Sequence, residues 1–222
     1  MDLNHHFKHY FIVDIETSGR CPIKNGIISF SLGVTDLNLN LIDVFQRRVR
    51  PPFLSFNTWS KEAEGVHGIS FDKVLNFTPN DQFCYELLCF LSKYKHPDNF
   101  PQPFVCHASP NGKPRFGKNG KPDGGYEIHP WFDYYFLEWA MRKARFENGQ
   151  EMVWSFYKIF NGKIRYSTVE MGRKAGYTSN KLNTWAERLN FDLKHHDDLS
   201  DMLCALEIFK LLHNKNNEQI YT

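Results

Sequence analysis

The spacing of apolar and polar positions divides the chain into short strands before Pro51 and into helices alternating with strands after it. Tyr10–Ile15 reads as a buried strand. Gly26–Thr35 and Leu41–Val49 read as two more around the polar Asp36–Asn40 turn, so the chain opens on a meander. Pro51–Phe56 reads as a loop. Asn80–Tyr94 carries Phe83, Leu87, Leu88 and Leu91 on one face of a helix, and Phe104–Cys106 follows as a short strand. Pro130 suits the first position of a helix over Trp131–Phe146, and Asn161-Gly162 predicts a hairpin between Phe156–Phe160 and Lys163–Ser167. Two short helices, near Val169–Ala175 and Asn180–Leu189, precede a long one from about Asp198 to His213. This order of elements implies an α/β or α+β domain with a mixed sheet.

Ser109–Glu127 follows neither period. It is rich in Gly and Pro, carries Lys113, Arg115, Lys118 and Lys121, and reads as an inserted loop. The 222 residues, 41% hydrophobic and 16% aromatic, suffice for one domain with a sizeable core and rule out disorder throughout. A net charge of +2 excludes attachment to a polyanion by bulk electrostatics, so any such contact is local. The 5 cysteines are scattered without zinc-site spacing and read as reduced thiols. No apolar run has the length of a signal sequence or a membrane span; the expectation is a soluble, cytoplasmic protein with no membrane partner.

Three segments aim carboxylates inward. In Phe11-Ile12-Val13-Asp14-Ile15-Glu16 the strand period puts Asp14 and Glu16 on one face at the end of a buried strand. Asp201 shares a helix side with Ala205, Ile208 and Leu212, opposite the polar stripe of Ser200, Glu207, Lys210 and Asn214. Asp133 lies on the face of Phe136, Leu137, Ala140 and Ala144. Each acid alone also suits a solvated strand end or a helix first turn, where the dipole favours it. Together, four carboxylates without a sulfur ligand select magnesium or manganese over zinc. His196 is five residues before Asp201, about 140° away on a continuous helix, so a shared site requires His196 in the preceding loop, where it suits a general base.

These segments, in this order, resemble the DEDDh branch of the DnaQ-like 3′→5′ exonucleases. Asp14-Ile15-Glu16-Thr17-Ser18-Gly19 matches the first motif, Phe132-Asp133-Tyr134-Tyr135-Phe136-Leu137 the second, and His196 through Asp201, continuing to Phe209, the third. Glu62–Ile69, with His67, looks like the loop that follows the third strand in that family. The tyrosine branch would place Tyr where this chain has Asp197, and His195 misses the histidine position by one. Two departures stand out: Cys106-His107-Ala108 replaces the common His-Asn and is separated from Asp133 by the insertion, and Ser167 stands where relatives often have Asp.

The resemblance implies a single exonuclease domain over 1–222, with a ribonuclease H-like mixed five-stranded sheet flanked by helices and a basic Gly/Pro-rich insertion at about 109–127. It implies two Mg²⁺ or Mn²⁺ ions held by Asp14, Glu16, Asp133 and Asp201, with His196 as general base. Thr17, Ser18, Gly19 and His67 would bind substrate, the 3′ end of single-stranded DNA or RNA, and a nucleoside 5′-monophosphate would be released. Phe53, Phe56 and Trp59 suit either base stacking or the core. The alternatives are a non-catalytic nucleic-acid-binding module and a proofreading subunit beside a polymerase or other replication or repair partner.

Overall fold

A computed structural model describes residues 7–98, 100–111, 113–116, 122–128, 131–160, 164–194 and 196–220. The predicted meander is present as β1 (Tyr10–Thr17), β2 (Ile27–Thr35) and β3 (Leu41–Arg50), paired antiparallel. On the other side of β1, β5 (Phe104–Cys106) and β8 (Arg165–Ser167) add in parallel. The two-residue β4 (Thr78–Pro79) joins the β3 edge, so the order β4-β3-β2-β1-β5-β8 has one short strand more than the sequence implies.

Alternation along β1 builds two cores. Phe11, Val13 and Ile15 pack beneath α3 (Asn80–Ser92), α4 (Phe132–Lys143) and α5 (Val153–Ile159). Tyr10 and Ile12 pack on the opposite face beneath α6 (Thr168–Lys174), α7 (Leu182–Leu189) and α8 (Asp198–Ile220). Where α8 crosses β2, a Cβ on Gly33 would lie 2.8 Å from the Met202 sulfur, so glycine there permits the close approach. No helix among the described residues is long and apolar enough to cross a membrane.

Three local expectations are corrected. Phe156–Phe160 is not a hairpin strand: Val153, Phe156 and Ile159 repeat at helical spacing, and all three are buried in the first core as part of α5. Asn161, Gly162 and Lys163 lie outside the described residues. Glu62–Ile69 is mostly helix, not loop: α1 (Lys61–His67) begins where the Ser60 hydroxyl accepts the Ala63 N–H at 3.2 Å and ends at Gly68, φ 69°. With α2 (Phe71–Val74) it covers a small third core of Ile28, Trp59, Phe71 and Val74.

The insertion is a β-ribbon, not an irregular loop. β6 (Lys113–Phe116) and β7 (Pro122–Ile128) pair antiparallel as a separate two-stranded sheet. Pro114 and Pro122 together with the glycines masked the alternation in the sequence. Lys118 and Lys121 lie outside the described residues. A bond from the Trp131 N–H to the Ser109 carbonyl, 3.1 Å, closes the neck of this ribbon two residues before Asp133.

Candidate metal centre

Beyond Ile12 the same face of β1 continues with Asp14 and Glu16, both half-buried. Asp201 reaches them from the first turn of α8 and is 5% exposed. Asp133 approaches from the first turn of α4, on the other side of the sheet, and is 7% exposed. Both helices thus turn their positive ends toward the acids.

His196 stands in the loop before α8, as its spacing from Asp201 requires. Asp197 caps the helix, its carboxylate accepting the Leu199 and Ser200 N–H groups at 3.1 and 3.3 Å. The Lys194 N–H in turn donates to the Ser200 hydroxyl at 2.9 Å. The tight turn holds His196 at φ 65°, with its N–H on the Asp201 carboxylate at 3.1 Å and its Nδ1 3.6 Å from Glu16 Oε1. Glu16, His196 and Asp201 offer ligand atoms within 4.8 Å of one another. His195 lies outside the described residues.

Burial, then the charges of Asp133, Asp201, Glu16 and Asp198, push the Asp14 carboxyl well above the usual carboxylate range. Glu16 is pushed up to about 8, first by burial and then by Asp201, Asp198 and Asp133, with Arg48 opposing. Asp133 is raised to about 7 by burial, against its own backbone N–H and the Cys106 thiol, which both favour the charged form. Such crowding of like charge is relieved by a hard divalent cation with oxygen ligands. Cys106 is no soft ligand: burial first, and then Asp133, keep its thiol protonated.

The residues beside Glu16 are tied into the turn that follows it. The Thr17 hydroxyl donates to the Gly19 carbonyl at 2.7 Å, and the Ser18 hydroxyl accepts the Gly26 N–H at 3.0 Å. A Cβ on Gly19 would meet the Asn25 side chain at 2.6 Å, so the missing side chain here makes room for Asn25, which bonds Cys21 and Thr58. His67 is buried at the end of α1. Its Nδ1 accepts the Ile69 N–H at 3.0 Å, and burial lowers its pKa, so the ring is neutral with its proton on Nε2. Of the three rings, Trp59 belongs to the third core, whereas Phe53 and Phe56 are exposed.

Sequence reasoning missed Asp198. It is fully buried at the start of α8, and the hydroxyls of Ser29 and Ser31 donate to its two oxygens at 2.5 Å each. The signal was a pair of serines two apart in the otherwise apolar stretch Ile27–Val34 of β2. His107 has a structural explanation: its Nδ1 accepts from the Thr168 hydroxyl and its Nε2 donates to the Asn180 carbonyl, tying the end of β5 to the chain before α7.

The fold is therefore a sheet covered by helices on both faces, with a carboxylate cluster at the end of its central strand, the ribonuclease H-like arrangement. No protein-family model matches the chain, and no curated protein matches it. Its similarity is to solved structures of exonucleases. The E. coli exonuclease I complex with a dT13 oligonucleotide superposes with a TM-score of 0.67 at 14% identity, over 96% of this chain and 42% of that one. The nuclease domain of 3′hExo, a DEDDh family member bound to rAMP, gives 0.58 at 15% identity over 95% and 94%. A 3′-exonuclease described for 3′-end recognition of the histone mRNA stem-loop gives 0.56 at 16% identity over 95% and 83%. This chain thus spans less than half the length of the exonuclease I chain and most of the length of the other two.

Proposed function

We propose that this chain is a metal-dependent 3′→5′ exonuclease that shortens single-stranded DNA or RNA from the 3′ end and releases nucleoside 5′-monophosphates. The observation that carries the reading is the convergence of Asp14, Glu16, Asp133 and Asp201 with His196 at the end of β1. A scaffold that only bound nucleic acid would gain nothing from acids whose repulsion raises their own pKa values.

Asp14, Glu16 and Asp201 would hold one Mg²⁺ or Mn²⁺ ion, and Asp14 with Asp133 a second. Such a pair, when bound, supplies positive charge on the scissile phosphate and lowers the pKa of the attacking water. His196 takes the proton from that water at a ring nitrogen, with Glu16 beside the ring to stabilise its charged form. Thr17, Ser18 and Gly19 offer the backbone next to Glu16 to the terminal nucleotide, and His67 lines the same end of the sheet. Nothing in this set of residues selects deoxyribose or ribose, and the similar structures include both a DNA and an RNA complex.

The test is incubation with 5′-labelled DNA and RNA oligonucleotides and Mg²⁺ or Mn²⁺, with Asp14→Ala as control. A ladder shortening from the 3′ end and absent in the variant is expected. Binding without shortening, or a ladder that persists in Asp14→Ala, would overturn the reading.

A further inference from the structure

Asp198 is a fully buried carboxylate that the proposed chemistry does not use. It opens α8 and points at β2, where the Ser29 and Ser31 hydroxyls each take one of its oxygens. From β3, the Gln46 amide approaches at 3.4 Å and a guanidinium nitrogen of Arg48 at 3.6 Å. Ser29 pairs across the sheet with Glu16, and Ser31 with Asp14. The rungs that carry two of the candidate metal ligands therefore also carry the groups that fix the first residue of the helix bearing a third.

We infer that Asp198, acting through Ser29 and Ser31, is a positioning residue that sets the register of α8 on the sheet and thereby places Asp201 and His196 against Asp14 and Glu16. The inference rests on the exonuclease reading for its catalytic consequence but not for its geometry. Below the first turn α8 is seated by Met202, Ala205, Ile208 and Phe209, apolar contacts that have no direction. A slip of one residue along the helix moves it by about 1.5 Å and turns it by about 100°, which would swing Asp201 off the site. Hydrogen bonds weaken steeply with such a displacement. Two hydroxyls on the two oxygens of one carboxylate therefore define both the height and the rotation of the helix.

Stability alone does not account for a carboxylate there. Asp198 adds to the repulsion felt by Asp14 and Glu16, whereas a small apolar side chain would fill the position without that cost. Registry is the best-attested use of a buried polar network of this kind. With both oxygens engaged by serines, Asp198 acts through its neighbours and not as a ligand.

The experiment compares Asp198→Ala, Asp198→Asn, Ser29→Ala and Ser31→Ala in the full chain. It reads kcat and KM on a 5′-labelled oligonucleotide, Mn²⁺ affinity by calorimetry, and Tm. Loss of a supporting partner of this type typically costs roughly 10–100-fold in metal affinity or activity, and Asp198→Ala is expected to lose that much in both kcat and Mn²⁺ affinity, with KM unmoved and Tm not lowered in proportion. Asp198→Asn, which still accepts from one serine, should recover most of the loss. If Asp198→Ala does not fold, the single serine variants carry the same expectation at smaller size. Wild-type kcat and Mn²⁺ affinity in all four variants, or losses that track Tm throughout, would overturn the inference. Weakened Mn²⁺ binding in a protein that shortens no oligonucleotide would uphold the positioning role and sink the exonuclease reading instead.

Discussion

His196 contributes to the cluster in two ways: its backbone N–H donates to Asp201, and its ring faces Glu16. Replacement by alanine separates them, because the N–H and its bond to Asp201 remain while the ring is lost. His196→Ala is therefore expected to lower turnover by roughly 10²–10⁴-fold, the range for a missing general base, with little change in Mn²⁺ affinity. Damage from His195→Ala, with His196→Ala harmless, would move the assignment by one residue. Asp201→Asn makes the complementary separation. The amide oxygen still accepts the His196 N–H, but the negative charge is gone, so hydrolysis should fall to background while circular dichroism and Tm stay at or above wild type. Near wild-type turnover in that variant would exclude Asp201 as a ligand.

At the level of elements, legibility followed the number of residues that repeat a pattern. Phe11, Val13 and Ile15 against Asp14 and Glu16 gave β1 and its two faces, and Phe83, Leu87 and Leu91 gave α3, because each set is packed at the period its element requires. Phe156–Phe160 failed because a run of five residues with several large apolar side chains fits either period, and the Asn-Gly that follows outweighed the buried Val153, Phe156 and Ile159. α1 was hidden by Gly65 and by having His67 alone buried in seven residues. The Asp198 network was illegible because serines on β2 and an acid at a helix start are each ordinary; only the fold brings positions 167 and 169 residues apart into contact.

The β6–β7 ribbon is the element to which the site chemistry assigns no role. Lys113, Arg115, Lys118 and Lys121 against Asp123 and Glu127 leave it +2 in a chain whose total is +2, and its neck closes two residues before Asp133. Replacing the four cations by serine is expected to weaken binding of long oligonucleotides and flatten the plot of log affinity against log salt, by about 0.7 per lost phosphate contact on a single strand. Hydrolysis of a dinucleotide should not change. An unaltered salt slope on long substrates would place the ribbon away from nucleic acid.

For the whole molecule, the two kinds of shifted group give stability opposite slopes with pH. The raised carboxyls of Asp14, Glu16 and Asp133 bind protons more tightly folded than unfolded, so their contribution is complete below the unfolded range near pH 4 and is lost as pH rises, through about 7 for Asp133 and about 8 for Glu16. His107 runs the other way. Burial lowers it from 6.5 to about 4, so its contribution is complete above pH 6.5 and is lost as pH falls toward 4. Without divalent ions the three carboxyls outweigh the one histidine, so these groups make Tm decline as pH rises from 5 to 8, each shifted unit being worth about 1.4 kcal/mol. A divalent ion bound by the carboxylates favours their ionised forms, so saturating Mg²⁺ or Mn²⁺ should raise Tm more at pH 8 than at pH 6. His107→Gln should steepen the decline only below pH 6.5, and Asp201→Asn, which removes a charge that raises Asp14 and Glu16, should soften it. Thermal melts in chelator and in metal across pH 5 to 8 decide it: a metal-free Tm that climbs from pH 6 to pH 8, or a metal-induced rise of equal size at both, would mean that the acids at the end of β1 are not the groups that bind the ion.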